Sequence, residues 1–86
     1  MTRYAGGYVA VGEVGMWVHR LTEQQPYRWE FPKVLVVAAR PGKRSDWLIV
    51  RDEAGREHRA IASQVYGEDL ARQLHPEEAR VIWGER

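Results

Sequence analysis

The segment from residue 34 to residue 63 constrains the fold more than any other part of the chain. Two turn signals divide it into three strand-length stretches, Val34–Ala39, Asp46–Arg51 and Arg56–Ser63. The first stretch is apolar on both faces and rich in β-branched residues, which favours a buried strand over a helix. The turns are Pro41-Gly42 and Asp52–Gly55, and Gly55 stands where a hairpin turn needs a positive φ. The segment therefore predicts a three-stranded antiparallel meander.

The stretch from Tyr8 to Leu21 predicts the first strand. From residue 14 onward two faces alternate, with Val14, Met16 and Val18 on one and Trp17, His19 and Leu21 on the other. Gly12 and Gly15 interrupt the pattern, which indicates a bulge or a sharp bend. Either face fits a core, so the pattern leaves open whether Trp17 is buried or exposed.

The remaining segments predict a long loop, one short helix and a last strand. Thr22–Lys33 contains two prolines and no sustained period, which is typical of a long loop or a loose hairpin. Ser63 is suited to cap a short turn. Glu68–Leu74 has acids in its first turn and leucines four residues apart, as in a helix of about two turns. Val81–Trp83 predicts a short final strand, in which Trp83 is a core residue.

These segments together predict a single, mainly β domain. About five short strands bury too little surface for a two-layer sandwich, whereas a small closed barrel shares one core and removes the exposed edges. We therefore expect a small five-stranded barrel, or else a strongly bent antiparallel sheet, with one short helix before the last strand. Residues 1–7 are expected to form a flexible N-terminus, 8–83 the barrel core and 84–86 a tail.

Four strings carry a resemblance to a known group of folds: G-E-V-G-M-W-V, V-L-V-V-A-A-R-P-G, D-W-L-I-V-R-D-E-A-G-R and E-H-R-A-I-A. Their order, with a long loop after the first and S-Q-V-Y-G after the last, resembles the SH3-like small barrels, which include the KOW and Tudor-like modules. The resemblance covers roughly residues 9–83 and is one of strand and loop pattern rather than of signature residues. The segment 67–79 is longer than the single helical turn usual at that place, which keeps the open, bent sheet as the alternative.

Composition excludes several kinds of function. The chain has no cysteine, which excludes disulfides, thiolate catalysis and zinc sites with sulfur ligands. The longest apolar run, Val34–Ala39, is too short to span a membrane, and the N-terminal residues do not resemble a signal peptide. We expect a cytoplasmic protein that does not associate with membranes. The net charge of +1 selects no partner, although residues 1–43 sum to +3 and residues 44–86 to −2.

The polar residues predict no catalytic or metal site. The two serines, Ser45 and Ser63, fall in a turn and at a cap rather than in a strained elbow. The three histidines, His19, His58 and His75, lack the spacing of metal motifs. The paired acids stand in turns or at helix starts, where they complement the helix dipole. We expect no catalytic residue, metal or cofactor, and a small enzyme built at a subunit interface is the least favoured reading.

The loop around Tyr27-Arg28-Trp29 is the strongest indication of binding, because a guanidinium stands between two aromatic rings. Bases stack on such rings. We therefore expect nucleic-acid binding through a basic and aromatic surface.

The alternative is a protein-interaction or self-associating module, with Trp17 or Trp47 at a symmetric interface. Trp29 and Phe31 could instead fold back and close one end of a barrel. The candidate binding residues are Trp17, Arg20, Tyr27, Arg28, Trp29, Lys33, Trp47, Arg51 and Arg59.

Overall fold

The computed structural model describes residues 9–85, which contain seven strands and two helices. The strands are β1 (Val14–Trp17), β2 (His19–Arg20), β3 (Trp29–Glu30), β4 (Lys33–Arg40), β5 (Trp47–Arg51), β6 (Glu57–Ile61) and β7 (Val65–Tyr66). A 3-10 turn, Ala62–Gln64, leads into β7, and the helices α1 (Glu68–Leu74) and α2 (Pro76–Trp83) follow it. The expectations for residues 1–7, Tyr8 and Arg86 lie outside the described residues.

Five strands form one antiparallel sheet in the order β6-β5-β4-β1-β7, and β2 and β3 form a separate two-stranded hairpin. The predicted meander is confirmed as β4-β5-β6, and the turn after β5 has Gly55 at φ 84°. β4 carries a register shift between Val36 and Ala38. Such a bulge bends the strand and increases its local twist.

The sheet is strongly bent. In a flat sheet β1 and β6 would lie about 14 Å apart, since three inter-strand spacings separate them. The rings of Trp17 on β1 and His58 on β6 are nevertheless only 5.3 Å apart. Among residues 9–85 the edge strands β6 and β7 do not pair, so the described sheet does not close into a barrel. The mainly β class is confirmed in its bent-sheet form.

Two hydrophobic cores lie on opposite sides of β1. The inner core fills the concave side of the sheet, where paired residues such as Val36 and Val50 point inward and are fully buried. The second core lies on the other side, where Met16 and Val18 contact the two helices through Ala71 and Ala79. β1 is therefore buried on both faces, although its residues alternate as predicted.

The end of the chain differs from the prediction. Residues 81–83 are helical, and the one helix expected before the last strand is replaced by two helices after it. Pro76 stands in the first turn of α2 together with Glu77 and Glu78, a favourable helix start. Ile82 and Trp83 then follow Ala79 at helical spacing, and all three belong to the second core. The core position of Trp83 is thereby confirmed, but on a helix.

The other elements follow the prediction closely. The helix over Glu68–Leu74 has its predicted bounds, and the long loop proves to be a loose hairpin through β2 and β3. The first strand is shorter than expected, because a turn at Gly12, with φ 93°, precedes it. No helix within residues 9–85 combines the length and apolar character that a membrane crossing requires.

The contact between β1 and β7 depends on the absence of a side chain at Gly15. A Cβ at this position would lie 2.8 Å from Val65 Cγ1 and 3.2 Å from the Tyr66 carbonyl oxygen. We expect Gly15→Ala to lower the free energy of unfolding by about 1–3 kcal/mol, the usual cost of overpacking. Urea unfolding followed by tryptophan fluorescence measures this. Ser63→Ala, at an exposed position in the 3-10 turn Ala62–Gln64, is the control and should change stability by less than about 0.5 kcal/mol. Equal stability of the two variants would contradict the close β1–β7 approach.

Candidate functional site

The outer face of the meander is the surface on which a candidate site is built. Alternation along β5 points Leu48 and Val50 inward and turns Trp47 and Ile49 outward. The register places Arg40 on β4 directly opposite Trp47, and Arg59 on β6 directly opposite Ile49. The two helices pack on β1 through Met16 and Val18, and the core that they form there contains no residue of β4, β5 or β6.

Trp47 is held in place by its neighbours. The guanidinium of Arg59 lies over the indole, 4.7 Å from the ring centroid, in a cation–π contact. On another side the β4–β5 turn approaches the ring, since a Cβ at Gly42 would lie 3.1 Å from Trp47 Cδ1. Trp47 is half-buried and Arg59 is exposed, so the stacked pair presents the guanidinium to solvent.

The surroundings of this pair are positively charged. We call the group formed by the stacked pair and the adjoining cations the Trp47 surface: Arg40, Lys43, Arg44, Trp47 and Arg59. All four cations are exposed, and none forms an ion pair with any residue between 9 and 85. Asp46 is the one acid within the β4–β5 turn. The local balance is therefore +3, although the whole chain carries only +1.

Arg51 also lies on the outer face, but its charge does not add to the positive charge of the Trp47 surface. It stands at the far end of β5, opposite Glu57, and its Nη2 lies 2.8 Å from Glu57 Oε2. The ion pair compensates the guanidinium charge. Of the three outer-face residues predicted for binding, Trp47 and Arg59 therefore lie in contact and Arg51 is paired elsewhere.

The hairpin β2–β3 holds four of the predicted binding residues together. Arg20 pairs with Trp29 across the strands, and the Arg20 guanidinium lies 4.5 Å from the centroid of the Tyr27 ring. The Arg28 amide donates a hydrogen bond to Thr22 Oγ1 (3.2 Å), which closes the loop. Trp29 is 53% exposed and Tyr27 44% exposed. The hairpin contains aromatic rings for contact, but its two arginines are balanced by Glu23 and Glu30.

Trp17 lies in the interior, away from these surfaces. Its ring stacks on His19 with centroids 3.9 Å apart, and it packs against the inner core. Its indole nitrogen is buried without a hydrogen-bond partner among the described residues. His19 stacks on the Trp17 ring and the His58 ring centroid lies 5.3 Å from it, so the half-buried Trp17 is not part of the exposed surfaces described above.

Lys33 is also separate from the Trp47 surface. It stands at the start of β4, about 23 Å along the strand from Arg40 at its end. There it lines an open depression of about 430 Å³ beside Asp52 and Glu53, with Phe31 and Ile82 as its apolar walls. The two nearby carboxylates make this depression a poor place for an anion.

A cluster of polar residues around Trp17 was not predicted as a unit. His58 Nε2 lies 2.7 Å from Asp52 Oδ2, while Asp52 Oδ1 accepts hydrogen bonds from the amides of Ala54 and Arg56, both at 2.9 Å. The hydrogen bond with His58, followed by that with the Arg56 amide, lowers the pKa of Asp52. In the sequence, the signal was an acid and a histidine flanking one hairpin turn.

His19 belongs to the same cluster. Burial lowers its pKa below the ordinary value of 6.5, and Glu30, whose Oε2 lies 3.9 Å away, offsets part of this effect. Among residues 9–85 no three histidine or acidic side chains are arranged to hold a metal ion. His19 on the hairpin and His58 beside the β5–β6 turn both contact Trp17, which packs against the inner core. The cluster thus anchors the hairpin and this turn to the interior.

The residues that sequence reasoning missed are Arg40, Lys43 and Arg44. The string Arg-Pro-Gly-Lys-Arg predicts a turn through its Pro-Gly pair, and it also contains three cations. What the string did not reveal is that this turn lies against Trp47.

Comparison of the chain with protein-family models, with curated proteins and with solved structures finds no match. Its function therefore has to follow from the chemistry of these surfaces.

The lowered pKa of His19 predicts a loss of stability in mild acid. Below about pH 6.5 the unfolded chain binds a proton at this imidazole, while the folded protein resists it until its lower pKa is reached. Stability therefore falls as the pH drops through this window. We expect His19→Gln to lose less stability than the wild type between about pH 7.5 and about pH 5.5, as measured by urea unfolding.

Glu30→Gln is the matched comparison, because it removes the carboxylate that partly supports protonation of His19. This variant should lose more stability than the wild type over the same pH interval. An identical pH dependence in all three proteins would show that His19 does not titrate differently on folding.

Proposed function

We propose that the protein is a non-enzymatic binding module that holds nucleic acid through the Trp47 surface. One observation carries the proposal: a stacked tryptophan–arginine pair lies among exposed cations that have no acidic partner within residues 9–85. Cations without partners are free to neutralise phosphates, and this releases the counterions that surround a nucleic acid. Arginine, which supplies three of the four cations, also binds phosphate through two parallel hydrogen bonds.

The local charge supports the Trp47 surface over the hairpin. Nucleic-acid binding depends on charge at the contact rather than on the net charge of the domain. The Trp47 surface and its turn have four cations and one acid, whereas the hairpin has two arginines and two glutamates. The nucleic-acid contact predicted for Tyr27-Arg28-Trp29 is therefore less favourable than the contact proposed for Trp47 and Arg59.

We also propose that the fold is related to the SH3-like small barrels. Three features support this: the β4-β5-β6 meander, the 3-10 turn Ala62–Gln64, and the last strand β7 beside the first strand β1. The two helices after β7 are additions to that pattern. A relation of this kind would not select the function, because SH3-like barrels carry many unrelated functions.

The hairpin favours a second candidate function, protein interaction or self-association. It exposes three large apolar side chains, Leu21 (49%), Tyr27 (44%) and Trp29 (53%). Exposed aromatic residues with balanced charges are typical of the contact area in protein interfaces.

The proposed function predicts that reversing the charge of the β4–β5 turn abolishes most of the affinity for nucleic acid. Fluorescence anisotropy of a labelled oligonucleotide measures binding between about 50 and 200 mM salt. We expect the double variant Lys43→Glu, Arg44→Glu to bind at least about tenfold more weakly and to show a shallower salt dependence. Arg56→Glu is the control, because Arg56 is exposed, without an ion pair in the described chain, and in the opposite turn.

Two results would contradict the proposal. The absence of binding by the wild type at low salt would exclude nucleic-acid binding. An unchanged affinity of the double variant, together with a loss in Arg28→Ala, would exclude the Trp47 surface and assign the contact to the hairpin.

The second candidate function predicts that the hairpin mediates association. Light scattering over a range of protein concentrations should then show an increase in mass that Trp29→Ala removes. Because Trp29 is half exposed, this variant should remain folded, with a change in stability of less than about 0.5 kcal/mol. A mass that stays monomeric at all concentrations would rule out self-association.

A further inference from the structure

Resting on the proposed function, we propose that the ligand of the Trp47 surface is single-stranded nucleic acid, with one unpaired base stacked on the Arg59–Trp47 pair. The inference concerns the class of nucleic acid. It follows from the apolar residues that lie between the cations, which phosphate binding alone does not need.

Four apolar residues form a continuous floor on the outer face, between Arg40 on β4 and Arg59 on β6. Ile49 stands next to Trp47 on the central strand β5, with Ala38 opposite it on β4. Ile61 lies opposite Trp47 on β6. All four side chains are half-buried, and none of them belongs to the core that the helices form with β1. Arg40 flanks this floor on β4 and Arg59 flanks it on β6.

Such a floor is complementary to the face of a base. In a duplex the base faces are buried in the stack, and the accessible surface consists of phosphates, sugars and polar base edges. In a single strand the bases are free to turn onto an aromatic or guanidinium plane. The arrangement of cations around an apolar floor therefore fits phosphates on the outside and base faces in the middle.

The shape of the site also disfavours a duplex. The major groove of DNA admits an α-helix or a two-stranded ribbon. The Trp47 surface instead spans three adjacent strands, β4, β5 and β6. It offers a broad sheet face on which a single strand can lie.

Arg59 is the residue that distinguishes base stacking from simple charge attraction. Its guanidinium is already stacked 4.7 Å from the centroid of the indole, so a base placed on it extends an existing stack. A lysine at this position keeps the charge but has no planar group. Because Arg59 is exposed and forms no ion pair with the described residues, Arg59→Lys should leave the fold intact.

The experiment compares three labelled or competing probes at about 50 and about 200 mM salt: an oligothymidine of roughly 15 nucleotides, a duplex of the same length, and inorganic polyphosphate as a polyanion without bases. For the wild type we expect at least about tenfold tighter binding of the single strand than of the duplex. Arg59→Lys should weaken single-strand binding by at least about fivefold, the lower end of the 5- to 150-fold range equivalent to stacking one base. Its duplex and polyphosphate affinities, to which base stacking does not contribute, should fall less than its single-strand affinity.

Arg56→Lys is the matched control, since it makes the same replacement at an exposed arginine in the opposite turn, and it should behave as the wild type. Quenching of tryptophan fluorescence by the oligothymidine provides a second readout, and Trp47→Phe should remove the part of the quenching that comes from this site.

The outcomes separate this inference from the proposed function. Equal affinity for single strand and duplex, with binding that weakens in salt, would overturn the inference and leave nucleic-acid binding in place. A single-strand preference that persists in Arg59→Lys would place the base elsewhere and overturn the assignment to the Arg59–Trp47 pair. Failure to bind any of the three probes would overturn both the inference and the proposed function.

Discussion

Burial of β1 on both faces is the constraint on which the rest of the structure depends. Trp17 points into the inner core, while Met16 and Val18 contact the helices. β1 lies between β4 and β7 in the sheet, and the sheet bends so that His58 on β6 approaches Trp17 on β1 from the inner side. The core that α1 and α2 form against β1 contains no residue of the meander, so Trp47, Ile49 and Arg59 stay outside both cores. The candidate site thus lies on a part of the sheet that belongs to neither hydrophobic core.

The distribution of acids explains how a nearly neutral chain contains a strongly positive surface. Several carboxylates are already paired within the fold: Asp52 with His58, Glu57 with Arg51 and Glu68 with Arg72. The β4–β5 turn has two cations, Lys43 and Arg44, and one acid, while Arg40 on β4 and Arg59 on β6 add two further cations. The net charge of +1 therefore averages over regions that differ in sign, and only the local balance bears on what this face can bind.

Much of the fold was predictable from short-range patterns. The meander, the positive φ of Gly55 and the helix Glu68–Leu74 follow from strand alternation, turn chemistry and acids at a helix start, and all three are found. The assignment of Val81–Trp83 to a strand was wrong because three consecutive apolar residues fit either period. Pro76 and the spacing of Ala79, Ile82 and Trp83 favoured the helix, but only the contact of these side chains with Met16 and Val18 decides it.

Like the fold, the candidate site was predictable from the sequence only in part. By itself the sequence determined that Trp47 and Arg59 stand on neighbouring strands and that the intervening turn is basic, because strand period and turn residues act over a few positions. Only the tertiary structure decided that Arg59 stacks on Trp47 and that the turn lies beside it, since a one-residue shift in register would move each side chain to the other face. It also decided that Trp17 is interior, because its burial depends on β6 and on the inner core, which are distant from it along the chain.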